Sequence, residues 1–136
     1  LKVPHIVVCG HTECGAIKGA MNMAGLDSLP HVREWLGYAR AAVEVVNHIG
    51  ADLDEAGKMN LLLQQNVILQ LNHLKTHPSV AARMAAGELQ LHGWVYDIRT
   101  GDVSAYDAGL DKFVPVHEHY ASEMAAIAPA KHECAA

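Results

Sequence analysis

The sequence is poor in several features that would have fixed a class at once. No apolar run approaches the roughly 18 residues that a membrane-spanning helix requires. Basic residues are outnumbered, with 10 Lys and Arg against 15 Asp and Glu and a formal net charge of −5. That balance argues against a nucleic-acid surface, which is normally basic. Only three cysteines are present, at positions 9, 14 and 134. An odd number at that spacing fits no disulfide framework, so a reducing cytoplasm is the expected compartment. No stretch combines the charged start and small-residue cleavage site of a signal peptide. The first residue is Leu rather than Met, and an apolar strand follows almost immediately. The chain therefore reads as a piece of a longer protein.

What is present is enough for one domain. The 136 residues are 51% hydrophobic and 18% charged, a balance that favours a globular core over disorder. Ten histidines are many for this length, but most are scattered, and a lone histidine is read as solvated or satisfied within the structure.

The opening stretch organises the rest. Ile6-Val7-Val8-Cys9 is a short apolar run that ends at Gly10, and His11 and Cys14 follow at the spacing H-x-x-C. Such a run predicts a strand buried on both faces, as in parallel sheets. Ligands of open α/β sheets gather beyond the carboxyl ends of such strands. An imidazole and a thiolate at that address are borderline-soft donors that suit zinc. A short helix from Gly15 to about Met23 would put Cys14 at its N-terminus, where the dipole favours a thiolate.

Further along, Asn22 to Leu29 reads as a turn, with Ser28 as the expected cap of the next helix and Pro30 in its first turn. Val32, Trp35, Leu36, Ala39, Val43 and Val46 form one stripe of an amphipathic helix reaching Ile49, with a break expected near Gly37. Asp52 and Glu55 resemble a capping pair for a longer helix from about Leu53 to Thr76. That helix is apolar over a wide arc, which points to more than one packing neighbour and hints at a subunit interface. Ser79 to Ala86 predicts a short helix stopped by Gly87. Leu89, Leu91, Gly93 and Val95 then share one face of a strand, Thr100-Gly101-Asp102 marks a tight turn, and Val103 to Tyr106 returns antiparallel. Beyond Asp107 no firm pattern is visible, apart from helical character around Glu118 to Ile127.

From Ile6 to Ala16 the sequence I-V-V-C-G-H-T-E-C-G-A resembles the second zinc-ligand segment of β-class carbonic anhydrases. Gly87 to Asp97 is similar to that family's late strand with its G-W-x-Y signature, and Leu1 to about Asp107 follows the family's order of segments. The resemblance implies an α/β fold: a central, mainly parallel sheet with flanking helices, incomplete at the N-terminus. Residues 1–107 would form a partial β-carbonic anhydrase domain and 108–136 a C-terminal tail. It implies a zinc lyase that hydrates carbon dioxide reversibly to bicarbonate and a proton by zinc-hydroxide attack, working as a homodimer or larger homo-oligomer. The family's metal ligands are Cys, His and Cys; His11 and Cys14 match the second and third. The first comes from a C-x-D-x-R segment whose Asp and Arg form a dyad near the metal. That segment is absent here, so no catalytic residue is carried over, and little zinc binding or hydration is expected of these 136 residues alone. The alternative is a non-catalytic module with a degenerate zinc site, acting in assembly.

Other candidates have simpler readings. Cys9 is read as buried core, with a third-ligand role as the alternative. Asp97-Ile-Arg99 has Val95 at the position of the family cysteine and is read as a surface pair. His73 and His77 lie four apart on a helix but lack the glutamate of H-E-x-x-H. His117 and His119 belong to a solvated tail, and Glu13 is expected to be exposed. Tyr96 matches a tyrosine that some family members use in an inhibitory bicarbonate site; packing in the hairpin is the preferred reading.

Overall fold

The architecture follows from one parallel strand pair and the long crossover that joins it. A computed structural model describes residues 2–127; Cys134 and the Ala-rich end lie outside the described residues. Strand β1, His5–His11, pairs in parallel with β2, Gln90–Tyr96, in a register that sets His5 beside Gln90 and His11 beside Tyr96. Parallel neighbours cannot be joined by a tight turn, and here the crossover carries five α-helices: α1 Gly15–Met21, α2 Pro30–Leu36, α3 Arg40–Ile49, α4 Glu55–Lys75 and α5 Pro78–Ala85. Two antiparallel strands follow, β3 Val103–Asp107 and β4 Lys112–Pro115, giving the sheet order β1-β2-β3-β4. The described residues end with α6 Val116–His119 and α7 Ala121–Ile127.

Helix α4 is the spine of the core. It packs against β1 and β2 on one side and against α3 on the other, which accounts for its wide apolar arc. Leu62, Leu63, Val67 and Leu71 are buried along it and meet Ile17, Ala42, Val46 and Val95. Gly10 of β1 and Gly93 of β2 face this helix and bring its backbone close to the sheet. The break expected near Gly37 is real: α2 gives way to a 3-10 turn over Gly37–Ala39 before α3 begins. Gly101, at φ +81°, supplies the left-handed residue of the turn between β2 and β3.

Three details differ from the expectations. Strand β1 is not buried on both faces: His5, Val7, Cys9 and His11 are exposed, while Ile6, Val8 and Gly10 turn toward α4. Among the described residues β1 is an edge strand covered on one face only, and alternation is what such a position produces. The cap of α4 is Asp54, whose carboxylate accepts from the Gly57 N–H at 2.8 Å, rather than Asp52. Ser28 does not cap α2; Leu29 occupies that place without a side-chain bond, and Pro30 starts the helix. Asp27 accepts instead from Arg33 at 2.6 Å.

The stretch beyond Asp107 has more order than its sequence pattern conveyed. Lys112–Pro115 pairs with β3 through four residue pairs, from Ser104↔Pro115 to Asp107↔Lys112. Helix α6 packs on β3 and β4 and places Tyr120 against His92 and Trp94 of β2.

Candidate metal centre

His11 closes β1, and the register puts it beside Tyr96. Pairing runs one residue further, because the Thr12 N–H donates to the Tyr96 carbonyl at 3.0 Å. Glu13 then takes a left-handed conformation, φ 58°, which turns the chain sharply. Cys14 returns to extended geometry as the N-cap residue of α1. The reversal sets His11, exposed, and Cys14, half-buried, along the same two cavities. One, of about 630 Å³, is walled by β1, α1, α2 and a flank of α4. The other, of about 600 Å³, lies between the His11–Cys14 turn and the first turns of α4, with Asp97 and Arg99 on its rim.

The imidazole is already oriented. Its Nδ1 lies 2.9 Å from the Thr12 carbonyl oxygen. A carbonyl can only accept, so in the neutral ring Nδ1 carries the proton and Nε2 keeps its lone pair. A backbone carbonyl fixing one ring nitrogen is a common way to present the other to a metal. In kind, imidazole Nε2 and a cysteine sulfur are donors a zinc ion takes. In number they fall short: no group of three or more His, Cys, Asp or Glu side chains is gathered for a metal among the described residues, whereas a catalytic zinc commonly has three protein ligands.

The turn is held from the far end of the chain. The Ile98 N–H donates to Thr12 Oγ1 at 3.1 Å across 86 residues, and the Arg99 guanidinium pairs with the Glu13 carboxylate. Glu13 is thus exposed, as expected, but paired. Asp97 and Arg99 do not form the surface pair expected of them. The Asp97 carboxylate accepts from the Arg99 and Thr100 backbone N–H groups, at 2.8 and 3.3 Å, while the Arg99 side chain reaches to Glu13. Thr12, Ile98 and Arg99 are the contributors that the sequence reading missed, since no local pattern marks residues so far apart as neighbours.

Cys9, read as core, is exposed on the open face of β1, with Sγ 3.5 Å from the Gly10 carbonyl. Tyr96 is also exposed, beside His11 in register. His73 lines the larger cavity with His77 but is occupied by Gln70, Nδ1 to Oε1 3.1 Å. His117 lies 3.9 Å from its neighbour Glu118, and His119 lies 3.4 Å from Asp107.

A family model for carbonic anhydrase matches residues 1–103. The chain belongs to the carbonic anhydrase family. It is 45% identical to a carbonic anhydrase of Pseudomonas aeruginosa over 119 residues, covering 88% of this chain and 54% of that protein. Carbonic anhydrase 1 of Escherichia coli O157:H7 is 42% identical over 116 residues, covering 85% and 52%. Among solved structures, the β-carbonic anhydrase CcaA superposes with a TM-score of 0.81 at 37% identity, over 85% of this chain and 52% of that one. One of two tetrameric β-carbonic anhydrases from Sordaria macrospora gives 0.63 at 27% identity, over 76% and 52%. The α/β fold with a mixed, helix-flanked sheet is therefore a β-carbonic anhydrase fold. The chain spans about half the length of these relatives. No helix among the described residues is long and apolar enough to cross a membrane.

Proposed function

We propose that this chain serves the reversible hydration of carbon dioxide to bicarbonate and a proton, with His11 and Cys14 supplying two donors to a catalytic zinc. The supporting observation is the turn that sets both residues along the same cavities, with the His11 Nδ1 hydrogen-bonded so that Nε2 is free. A zinc ion supplies water acidification near neutral pH, which is the chemistry this hydration needs. A third donor must come from outside the set gathered among the described residues. Under this reading the protein works as a homodimer or larger homo-oligomer in the cytoplasm, with carbon dioxide and bicarbonate as its partners.

The shortfall of donors favours one second reading: a non-catalytic module that keeps a degenerate zinc site and acts in assembly. Zinc content after dialysis, chelator competition and stopped-flow hydration separate the two for the 136-residue chain. With two donors, weak zinc binding and little hydration are expected, and His11→Ala or Cys14→Ser should weaken zinc binding about tenfold or more. Zinc held equally well by both variants would sink the donor assignment. Brisk hydration by the chain itself would remove the module reading and point to Cys9 or a second copy as the source of the third donor.

A further inference from the structure

We propose that the exit of β2 is a clamp that sets the relative placement of His11 and Cys14, with Thr12 and Arg99 as its positioning residues. The inference rests on the reading of His11 and Cys14 as zinc donors for its consequence, though not for its geometry. Only Thr12 and Glu13 separate the two, and both are held by the last residue of β2 and the segment that follows it. Thr12 is held twice: its N–H donates to the Tyr96 carbonyl at 3.0 Å, and its hydroxyl oxygen accepts from the Ile98 N–H at 3.1 Å. Glu13 is held by Arg99, which reaches it through two guanidinium nitrogens.

Glu13 is also where the local backbone preference opposes the structure. A φ of 58° is uncommon for a residue with a side chain, so the turn is not the conformation that its own sequence favours most. The contacts that hold it come from residues 96–99. Those residues are themselves fixed, because the Asp97 carboxylate caps the turn through Arg99 and Thr100 and the Gly101 N–H donates to the Asp97 carbonyl at 2.8 Å. The contributions are unequal. Arg99 and Glu13 are 77% and 41% exposed, so water and salt weaken their attraction. Thr12 is half-buried, and its two bonds do most of the holding. A displacement of His11 relative to Cys14 would spoil any site needing both, since a metal tolerates little error in donor geometry.

The test uses the 136-residue chain with Thr12→Val, Thr12→Ser, Arg99→Ala, Arg99→Lys and, as reference, His11→Ala. Amide hydrogen exchange of Thr12 is read without metal, alongside Val67 and Leu71 in α4 as controls for global stability. Zinc affinity is read by competition with a chromogenic chelator. Thr12→Val should accelerate exchange at the residue-12 amide about three- to tenfold, the worth of one hydrogen bond, with the α4 amides unchanged and zinc binding weakened by a similar factor. Thr12→Ser should restore both. Arg99→Ala should act in the same direction by at most about fivefold, with Arg99→Lys intermediate. Unchanged exchange in both Thr12→Val and Arg99→Ala overturns the clamp. So does a loosened turn whose zinc affinity stays at the wild-type value while His11→Ala abolishes binding. Should His11→Ala leave zinc binding intact, the donor reading is what fails, and the exchange data alone decide whether the clamp exists.

Discussion

Gly10 and Gly93, on neighbouring strands, abut the same side chain, that of Val67 on α4. A Cβ added at Gly10 would lie 2.9 Å from Val67 Cγ2, and one at Gly93 would lie 2.9 Å from Val67 Cγ1. Val67 is β-branched and only 1% exposed, so it has little freedom to turn aside. The two glycines therefore set how closely α4 can approach the sheet. Gly10→Ala and Gly93→Ala should each cost about 1–3 kcal/mol through overpacking, read as a lower midpoint in urea. Because both press on Val67, the double variant should depart from additivity.

Burial along α4 and exposure along β1 predict opposite sensitivities. Leu62 has no accessible surface, and Leu62→Ala should destabilise by about 2–5 kcal/mol. Val7 is 42% exposed on the open face of β1, and Val7→Thr should stay within about 0.5 kcal/mol. A large loss at Val7 in the urea midpoint would mean that the face is covered in solution.

The start of α4 distinguishes two aspartates two residues apart. Asp54 caps the helix through the Gly57 N–H, so Asp54→Ala should cost about 1 kcal/mol. Asp52 lies outside the helix and makes no cap; Asp52→Ala should leave thermal stability nearly unchanged.

The polar cluster between β2 and the α6–α7 junction predicts a pH dependence. His92 Nδ1 lies 2.7 Å from Tyr120 Oη, which also accepts from Trp94 Nε1 at 3.2 Å. His92 Nε2 lies 3.0 Å from His5 Nδ1, so a neutral His92 has a hydrogen-bonding partner at each ring nitrogen. Burial, and then the positive charges that His5 and His119 can carry, push the His92 pKa below its ordinary 6.5, with Glu123 opposing. A histidine held neutral takes up fewer protons folded than unfolded in this window. Its contribution is thus fully present above about pH 6.5 and is lost as pH falls from there toward the lowered folded value. His92→Gln should flatten the slope of stability against pH between about 7 and 5. An unaltered slope would assign it to another group. Asp107, with a pKa lowered chiefly by the Leu110 N–H, acts separately: its contribution is present above the ordinary 3.8 and is lost below that value.

Much of this molecule is legible from neighbours along the chain. The apolar run ending in H-x-x-C, the alternation of Leu89, Leu91, Gly93 and Val95, and the break at Gly37 are patterns carried by adjacent side chains, which fix strand, face and helix boundary by local geometry. The two donor-type residues belong to that class, because a strand end and a helix start three residues apart must lie close together. Strand β4 was not legible: four residues without strong alternation acquire their structure from pairing with β3.

The remainder was decided only when the crossover brought distant segments together. Which face of β1 stays open depends on how α4 packs back onto the sheet, and why Arg99 turns to Glu13 rather than to Asp97 depends on where 85 residues of intervening chain deliver the end of β2. Periodicity is written in neighbouring residues, and so the sequence alone determined the elements other than β4 and the identity of the His11–Cys14 pair. Hydrogen bonds between residues far apart have no such local signature, and so the conformation of the turn that joins those two residues belongs to the tertiary structure.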